Sequence, residues 1–235
     1  MSEFNIVKKN FPKKKTKLAK KYLKIFNQVY KDNRDGKGLF NFLIAYLENW
    51  AHRTVSYRQN KKDKILEIGG GTLNHLKYEK FYKDYEVVEP FKALYQNSKY
   101  KGKIKKFYTS IFNIKKLKKY DRIISIFAFE HITDLPKVVE KCKNLLNKKG
   151  ILQVAIPCEG EAAFKLGWQL TTALSFKIKY GLDYSKIMEH EHVNTQEEIK
   201  VILNNFFTIK KFKRSPFILP IKNFSFYCFF ECEKK

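Results

Sequence analysis

Apolar residues recur along this chain with two different periods, and the change from one to the other organises it. Leu18, Tyr22, Ile25, Phe26 and Val29 fall at helical spacing, after which the polar, glycine-containing stretch Asp32 to Gly38 predicts a turn. A second stripe of Phe40, Leu43, Ile44, Leu47, Trp50 and Ala51 predicts a helix from Leu39 to about Val55. From Lys64 onward the apolar positions come instead in short, nearly continuous runs, the pattern of buried strands in a largely parallel sheet. These runs are Lys64 to Ile68, Tyr85 to Val88, Ile104 to Thr109, Tyr120 to Phe127 and Leu152 to Pro157, with a helix predicted over Phe91 to Tyr100. Thr195-Gln196-Glu197-Glu198 has the form of a capped helix start leading to Phe206. Phe207 to Phe212 and Phe224 to Cys232 then alternate as two final strands, a hairpin at the sheet edge.

This order predicts one α/β domain with helices on both faces of a mostly parallel, Rossmann-like sheet. Residues 1–60 form an N-terminal helical cover, 61–157 a ligand-binding core, 158–195 an inserted lid, and 196–235 a helix with the strand hairpin. At 235 residues the chain is long enough to bury one substantial core and too short for two.

The run Glu67-Ile68-Gly69-Gly70-Gly71-Thr72 carries the first chemical signal. Glycines are required where backbone takes positive φ or approaches a ligand without a Cβ in the way, and here three of them end a buried strand. Thr72, Leu73 and Asn74 are expected to open a helix whose free N–H groups face a polar ligand group. The next strand ends in Glu89-Pro90, 22 positions after Glu67. In a right-handed βαβ unit that end lies beside the glycine turn, where a carboxylate can accept hydrogen bonds from both hydroxyls of a ribose.

Charge changes the picture less than its size suggests. The net charge is +25, but 43 of the 48 basic residues are Lys and only five are Arg, whereas phosphate and base readers favour the bidentate guanidinium. Lys, Asn, Ile, Phe and Tyr are abundant together, as AT-rich coding produces, so no specific nucleic-acid partner is expected. Cys142, Cys158, Cys228 and Cys232 show neither a CxxC pair nor finger spacing, which predicts reduced thiols. No stretch approaches the ~20 apolar residues of a membrane span, and the lysine-rich N-terminus lacks the core of a signal peptide. A cytoplasmic protein is expected, of unspecified oligomeric state.

Glu67-Ile68-Gly69-Gly70-Gly71, Glu89 at a strand end, Asp121-Arg122-Ile123-Ile124-Ser125-Ile126-Phe127-Ala128-Phe129-Glu130-His131-Ile132, and Leu145-Leu146-Asn147-Lys148-Lys149-Gly150-Ile151-Leu152 follow one another in a familiar order. Over roughly Ile65 to Pro157 the chain resembles class I S-adenosylmethionine-dependent methyltransferases. The resemblance implies a seven-stranded sheet with its last strand antiparallel. It implies S-adenosyl-L-methionine as methyl donor and S-adenosyl-L-homocysteine as product. Gly69 to Gly71 would lie at the methionine moiety, Glu89 at the ribose hydroxyls, Ser110 and Ile111 along the adenine, and backbone near Phe127 at the amino-acid end, with Glu67 and Pro90 also among the donor-binding residues. The chain departs from the family at Leu73, where another small residue is common. A nicotinamide dehydrogenase would instead need glycine where Asn74 stands.

The segment Cys158 to His192 is the least generic part of the chain. Gly167-Trp168-Gln169-Leu170-Thr171-Thr172 and Glu189-His190-Glu191-His192-Val193-Asn194-Thr195 resemble methyltransferases of bacterial surface-polysaccharide gene clusters. That resemblance implies a small polar acceptor, a sugar or a nucleotide-activated precursor. A hydroxyl acceptor calls for a base of near-neutral pKa, for which His131, His192 and His190 are the candidates in that order. His190 and His192 as alternate residues suit one strand face, and with no third ligand in evidence no metal site is expected. Two other functions fit parts of the chain. A nucleic-acid methyltransferase fits the charge, yet Phe127-Ala128-Phe129-Glu130 is no Asn-Pro-Pro-aromatic segment. A non-catalytic nucleotide-binding subunit would keep the cofactor motifs without turnover.

Overall fold

A computed structural model describes residues 1–25, 41–215 and 223–235. The predicted turn at Asp32 to Gly38, and Phe26, Val29, Leu39 and Phe40, lie outside these residues, as do the side chains of Leu43, Ile44 and Leu47. Seven strands form one sheet: β1 Ile65–Ile68, β2 Tyr85–Val88, β3 Lys106–Tyr108, β4 Tyr120–Ile126, β5 Leu146–Pro157, β6 Phe207–Ser215 and β7 Tyr227–Lys234. Their order is β3-β2-β1-β4-β5-β7-β6, parallel from β3 to β5, with β7 antiparallel to both β5 and β6. The order in which strands are added reverses between β1 and β4, so the crevice for a ligand opens at their carboxyl ends.

Alternation along the strands divides the core in two. Leu66, Ile68, Ile123 and Leu152 face one layer. There they meet Leu135, Val139 and Cys142 of α4 (Leu135–Leu145), and Ile199, Ile202 and Leu203 of α8 (Gln196–Phe206). Ile65, Val87, Ile124 and Ala155 face the other, against Ala51 and Val55 of α2 (Asn41–Val55). β1 is buried along its whole length, which is why it reads as a continuous apolar run. The capping box at Thr195 and Glu198 forms as its spacing predicts and contributes about 1 kcal/mol to the start of α8. Lys13, from the N-terminal arm that follows α1 (Glu3–Lys8), reaches the same corner and bonds Glu198 and the Val193 carbonyl.

Several elements differ from their predicted extents. The helix expected after the glycines is a single 3-10 turn, Asn74–Lys77, because Leu73 takes a left-handed φ of 67° that an α-helix cannot include. Within Phe91 to Tyr100 only α3, Lys92–Tyr95, is helical. β5 starts earlier than expected, at Leu146. The final hairpin does lie at the sheet edge as expected, with β7 between β5 and the edge strand β6. The inserted segment is helical: α5 (Ala162–Trp168), a π turn (Gln169–Ala173), α6 (Leu174–Tyr180) and α7 (Ser185–Glu191).

Candidate active site

The glycine turn is wedged between neighbouring strand ends. Gly69 and Gly71 have φ of 76° and 51°, and a Cβ on Gly69 would stand 2.3 Å from the Ala128 Cβ. At Gly70 it would stand 2.5 Å from Val87. Gly69→Ala therefore carries both a backbone strain and a steric overlap. It should lower Tm by several degrees and abolish detectable S-adenosylhomocysteine binding, measured by scanning fluorimetry and calorimetry.

Glu89, buried at the end of β2, is tied into this turn. Its Oε2 accepts the Gly71 N–H at 2.8 Å and its Oε1 the Phe91 N–H at 3.0 Å. Each carboxylate oxygen keeps a second lone pair for a ligand hydroxyl. Ser110 accepts the Phe112 N–H and caps a short turn, with Ile111 buried in the core and Pro90 exposed. Phe127 follows β4 with φ of 53°, a strained value for a non-glycine residue, and its ring lies 4.9 Å from that of Tyr227.

A cavity of about 290 Å³ opens where β1, β4 and β5 end. Glu67, Gly69, Gly70 and Phe127 line its floor; Gly71, Glu89, Pro90, Ser110 and Ile111 lie outside this lining. Burial, together with the charges of Glu79 and Glu89, pushes the Glu67 carboxyl up to about 8, so it holds its proton at neutral pH while the Tyr85 hydroxyl donates to it at 2.9 Å. With the folded value above the unfolded one, this group's contribution to stability is complete below about 4.5 and is lost as pH rises through about 8. Glu67→Gln should thus match the wild type near pH 5 and exceed its Tm by several degrees at pH 9, as thermal unfolding across pH would record.

His131 and His192 both line the cavity, in edge-to-face contact at 4.8 Å. The His131 Nδ1 lies 2.8 Å from the Glu191 carbonyl, which can only accept, so Nδ1 carries the hydrogen and Nε2 is left as the basic nitrogen. Burial and the positive charge of His192 pull His131 down to about 4. His192 behaves oppositely: burial disfavours its charge, but its hydrogen bond and ion pair with Glu159 outweigh that and raise it above its ordinary value. Two neighbouring imidazoles thus have their proton affinities pushed apart, His131 well below the near-neutral range that favours a general base and His192 above its ordinary value. His190 lies outside this lining and bonds the Thr16 carbonyl instead. The Glu189-to-His192 stretch ends α7 rather than forming a strand, so the expectation of a shared strand face for His190 and His192 does not hold. Among the described residues no three His, Cys, Asp or Glu side chains are arranged to hold a metal ion.

A second buried chain of polar groups reaches the cavity from the other side. The ion pair between Arg122 and Glu79 keeps Glu79 ionised, so His75 donates to it from Nε2 at 2.7 Å and must accept through Nδ1. His52 Nδ1, 3.1 Å away, is therefore the donor, and its Nε2 is an acceptor on a ring that lines the cavity. Burial above all, with His75 and Lys77 as neighbours, holds His52 down to about 3, and Tyr78 stacks on it at 5.1 Å. Sequence reasoning assigned none of these four a role; the i,i+4 spacing of His75 and Glu79 was the available signal. It also missed Asn194, which donates to the Phe129 and Ile132 carbonyls and so pins the turn bearing His131 to the end of the lid.

A family description, "Methyltransferase domain", matches residues 39–206, well over half of the chain. The chain belongs to this methyltransferase family. It is an S-adenosylmethionine-dependent methyltransferase, as its ordered motifs imply. Among solved structures it is similar to the N-methyltransferase NodS from Bradyrhizobium japonicum in complex with S-adenosylhomocysteine, at 15% identity and a TM-score of 0.59 over 92% of this chain and 99% of that one. It is similar also to the plantazolicin methyltransferase BpumL, at 16% identity and 0.60 over 91% and 90%. A possible histamine N-methyltransferase from Thermotoga maritima gives 15% and 0.56 over 92% and 99%. No curated protein sequence matches the chain. At such identities the likeness is one of fold; in this chain a tight glycine turn with the buried Glu89 bonded into it stands at the strand ends.

Proposed function

We propose that the protein methylates a small polar acceptor, a sugar or nucleotide-activated precursor of a bacterial surface glycan, in the cytoplasm. The segment Cys158 to Asn194 forms the acceptor pocket in this reading. The observation that carries it is the pair of imidazoles in edge-to-face contact in the cavity: His131, whose Nδ1 donates to the Glu191 carbonyl and whose Nε2 lies 3.8 Å from Glu130, beside His192, whose pKa is raised by its contact with Glu159. Bound S-adenosylmethionine supplies an electrophilic methyl group on a sulfonium. The protein's own task is to orient the nucleophile, exclude water and accept one proton. Phe164, Tyr184 and Tyr227 provide apolar ring surface around the cavity, while Glu130 and Glu191 provide acceptors for hydroxyls.

Glu67, Gly69, Gly70, Gly71, Glu89, Pro90, Ser110, Ile111 and Phe127 are the residues assigned to the donor, and His131 is the assigned base. His192 is its partner, and His190 is left with a structural contact to the N-terminal arm. The same donor site would serve an amine acceptor, and two of the similar structures are described as N-methyltransferases, one of them only as possible. The test is a radiolabelled methyl-transfer screen with sugar nucleotides, amino sugars, small amines and bulk RNA. Transfer to a sugar nucleotide or amino sugar supports the reading. Transfer to RNA with none to metabolites overturns it. Tight S-adenosylhomocysteine binding with no transfer to any polar metabolite favours a non-catalytic subunit.

A further inference from the structure

The inserted segment has an outer face that the donor site does not use. From α5 through the π turn to α6, residues 162–180 form one helical rod carrying exposed Leu166, Leu170, Leu174 and Ile178 at 57%, 60%, 49% and 78% of full exposure. A spacing of four overshoots an α-helical turn by about 40° at each step, so such a row would normally wind around the rod. The wider π turn in the middle counters this drift and keeps the four on one stripe. Inner residues of the same rod serve the fold: Phe164 lines the cavity, and Phe176 is buried against Tyr22, Tyr184 and Ile187.

The stripe sits in a strongly basic setting. Residues 162–180 contain Lys165, Lys177 and Lys179 and no Asp or Glu, and all three lysines are exposed. The segment packed against the rod through Leu18, Tyr22 and Ile25 adds exposed Leu23 beside Lys20, Lys21 and Lys24. An apolar row flanked by lysines is the composition of a helix lying in the headgroup region of a bilayer.

We propose that this outer face of the lid seats on an anionic lipid surface. Charge selects this occupant over the others. A second copy of a chain carrying +25 would be repelled by the first, and a nucleic acid would neutralise the lysines without covering the leucines. Anionic lipid satisfies both features at once. The inference is independent of the acceptor's identity.

The test is co-sedimentation of the full chain with vesicles of phosphatidylcholine alone and of phosphatidylcholine mixed with phosphatidylglycerol. Binding to the mixed vesicles should be stronger by on the order of tenfold or more, with partial loss at high salt. The double variant Leu170→Glu, Leu174→Glu should lose at least ~tenfold of that binding while its circular dichroism and S-adenosylhomocysteine affinity stay unchanged. Equal binding to both vesicle types overturns the proposal. So does a double variant that binds like the wild type, since charge alone would then account for the attachment. A dimer in light scattering that the same substitutions disperse would assign the stripe to a second copy and overturn it as well.

Discussion

Replacing Glu89 with alanine should weaken S-adenosylhomocysteine binding by on the order of 10²- to 10⁴-fold in calorimetry, with the far-ultraviolet circular dichroism unchanged. The size is that of the two charge-assisted hydrogen bonds to ribose hydroxyls that the proposed assignment gives Glu89, at ~1.5–3 kcal/mol each. A second effect acts in the same direction. Glu89 accepts the Gly71 and Phe91 N–H groups, so its loss leaves two donors without their partner and loosens the turn that faces the donor. Glu89→Gln separates the two effects, because an amide keeps one acceptor oxygen and the shape of the side chain. It should recover part of the affinity. An affinity unchanged in Glu89→Ala would assign the ribose to another residue and leave Glu89 as a brace for the glycine turn.

The parts of this site that could be read in advance are those whose geometry is local. β1 and β4 are covered on both faces, so their burial is written as continuous apolar runs, and the glycines announce a backbone path that no Cβ permits. Glu89 was legible because a βαβ unit fixes where a strand end must lie. What stayed hidden depends on elements brought together only by folding. His52, His75, Glu79 and Arg122 come from α2, the 3-10 turn, the loop after it and β4, and their order as a hydrogen-bonded chain exists only in three dimensions. The left-handed Leu73 was equally invisible, since its side chain predicts helix and tertiary packing imposes another backbone. For His190 and His192 the sequence gives two nearby imidazoles but not the helix end that sends one to the N-terminal arm and the other to Glu159.

The contact of His192 with His131 leads to the strongest catalytic expectation. His131→Ala should reduce kcat by ~10²–10⁴-fold once an acceptor is found, with S-adenosylhomocysteine affinity nearly unchanged. In the proposed role Nε2 is the nitrogen that takes the proton, since Nδ1 already donates to the Glu191 carbonyl and cannot accept. The pH profile tests the assignment independently of the size of the loss. With His131 held down to about 4, the acidic limb of kcat/KM should lie well below 6.5. His192 is raised, so an alkaline limb should follow above 6.5 as it loses its charge. The two limbs are coupled through one electrostatic contact. His192→Gln removes the positive charge that depresses His131, and the acidic limb should then move to higher pH, toward the ordinary histidine value. A His131→Ala variant that keeps nearly full turnover would exclude it as the base. An acidic limb that stays fixed in His192→Gln would show that the two rings do not titrate against each other, and would move the search for the base to Glu130, Glu191 or the Nε2 of His52.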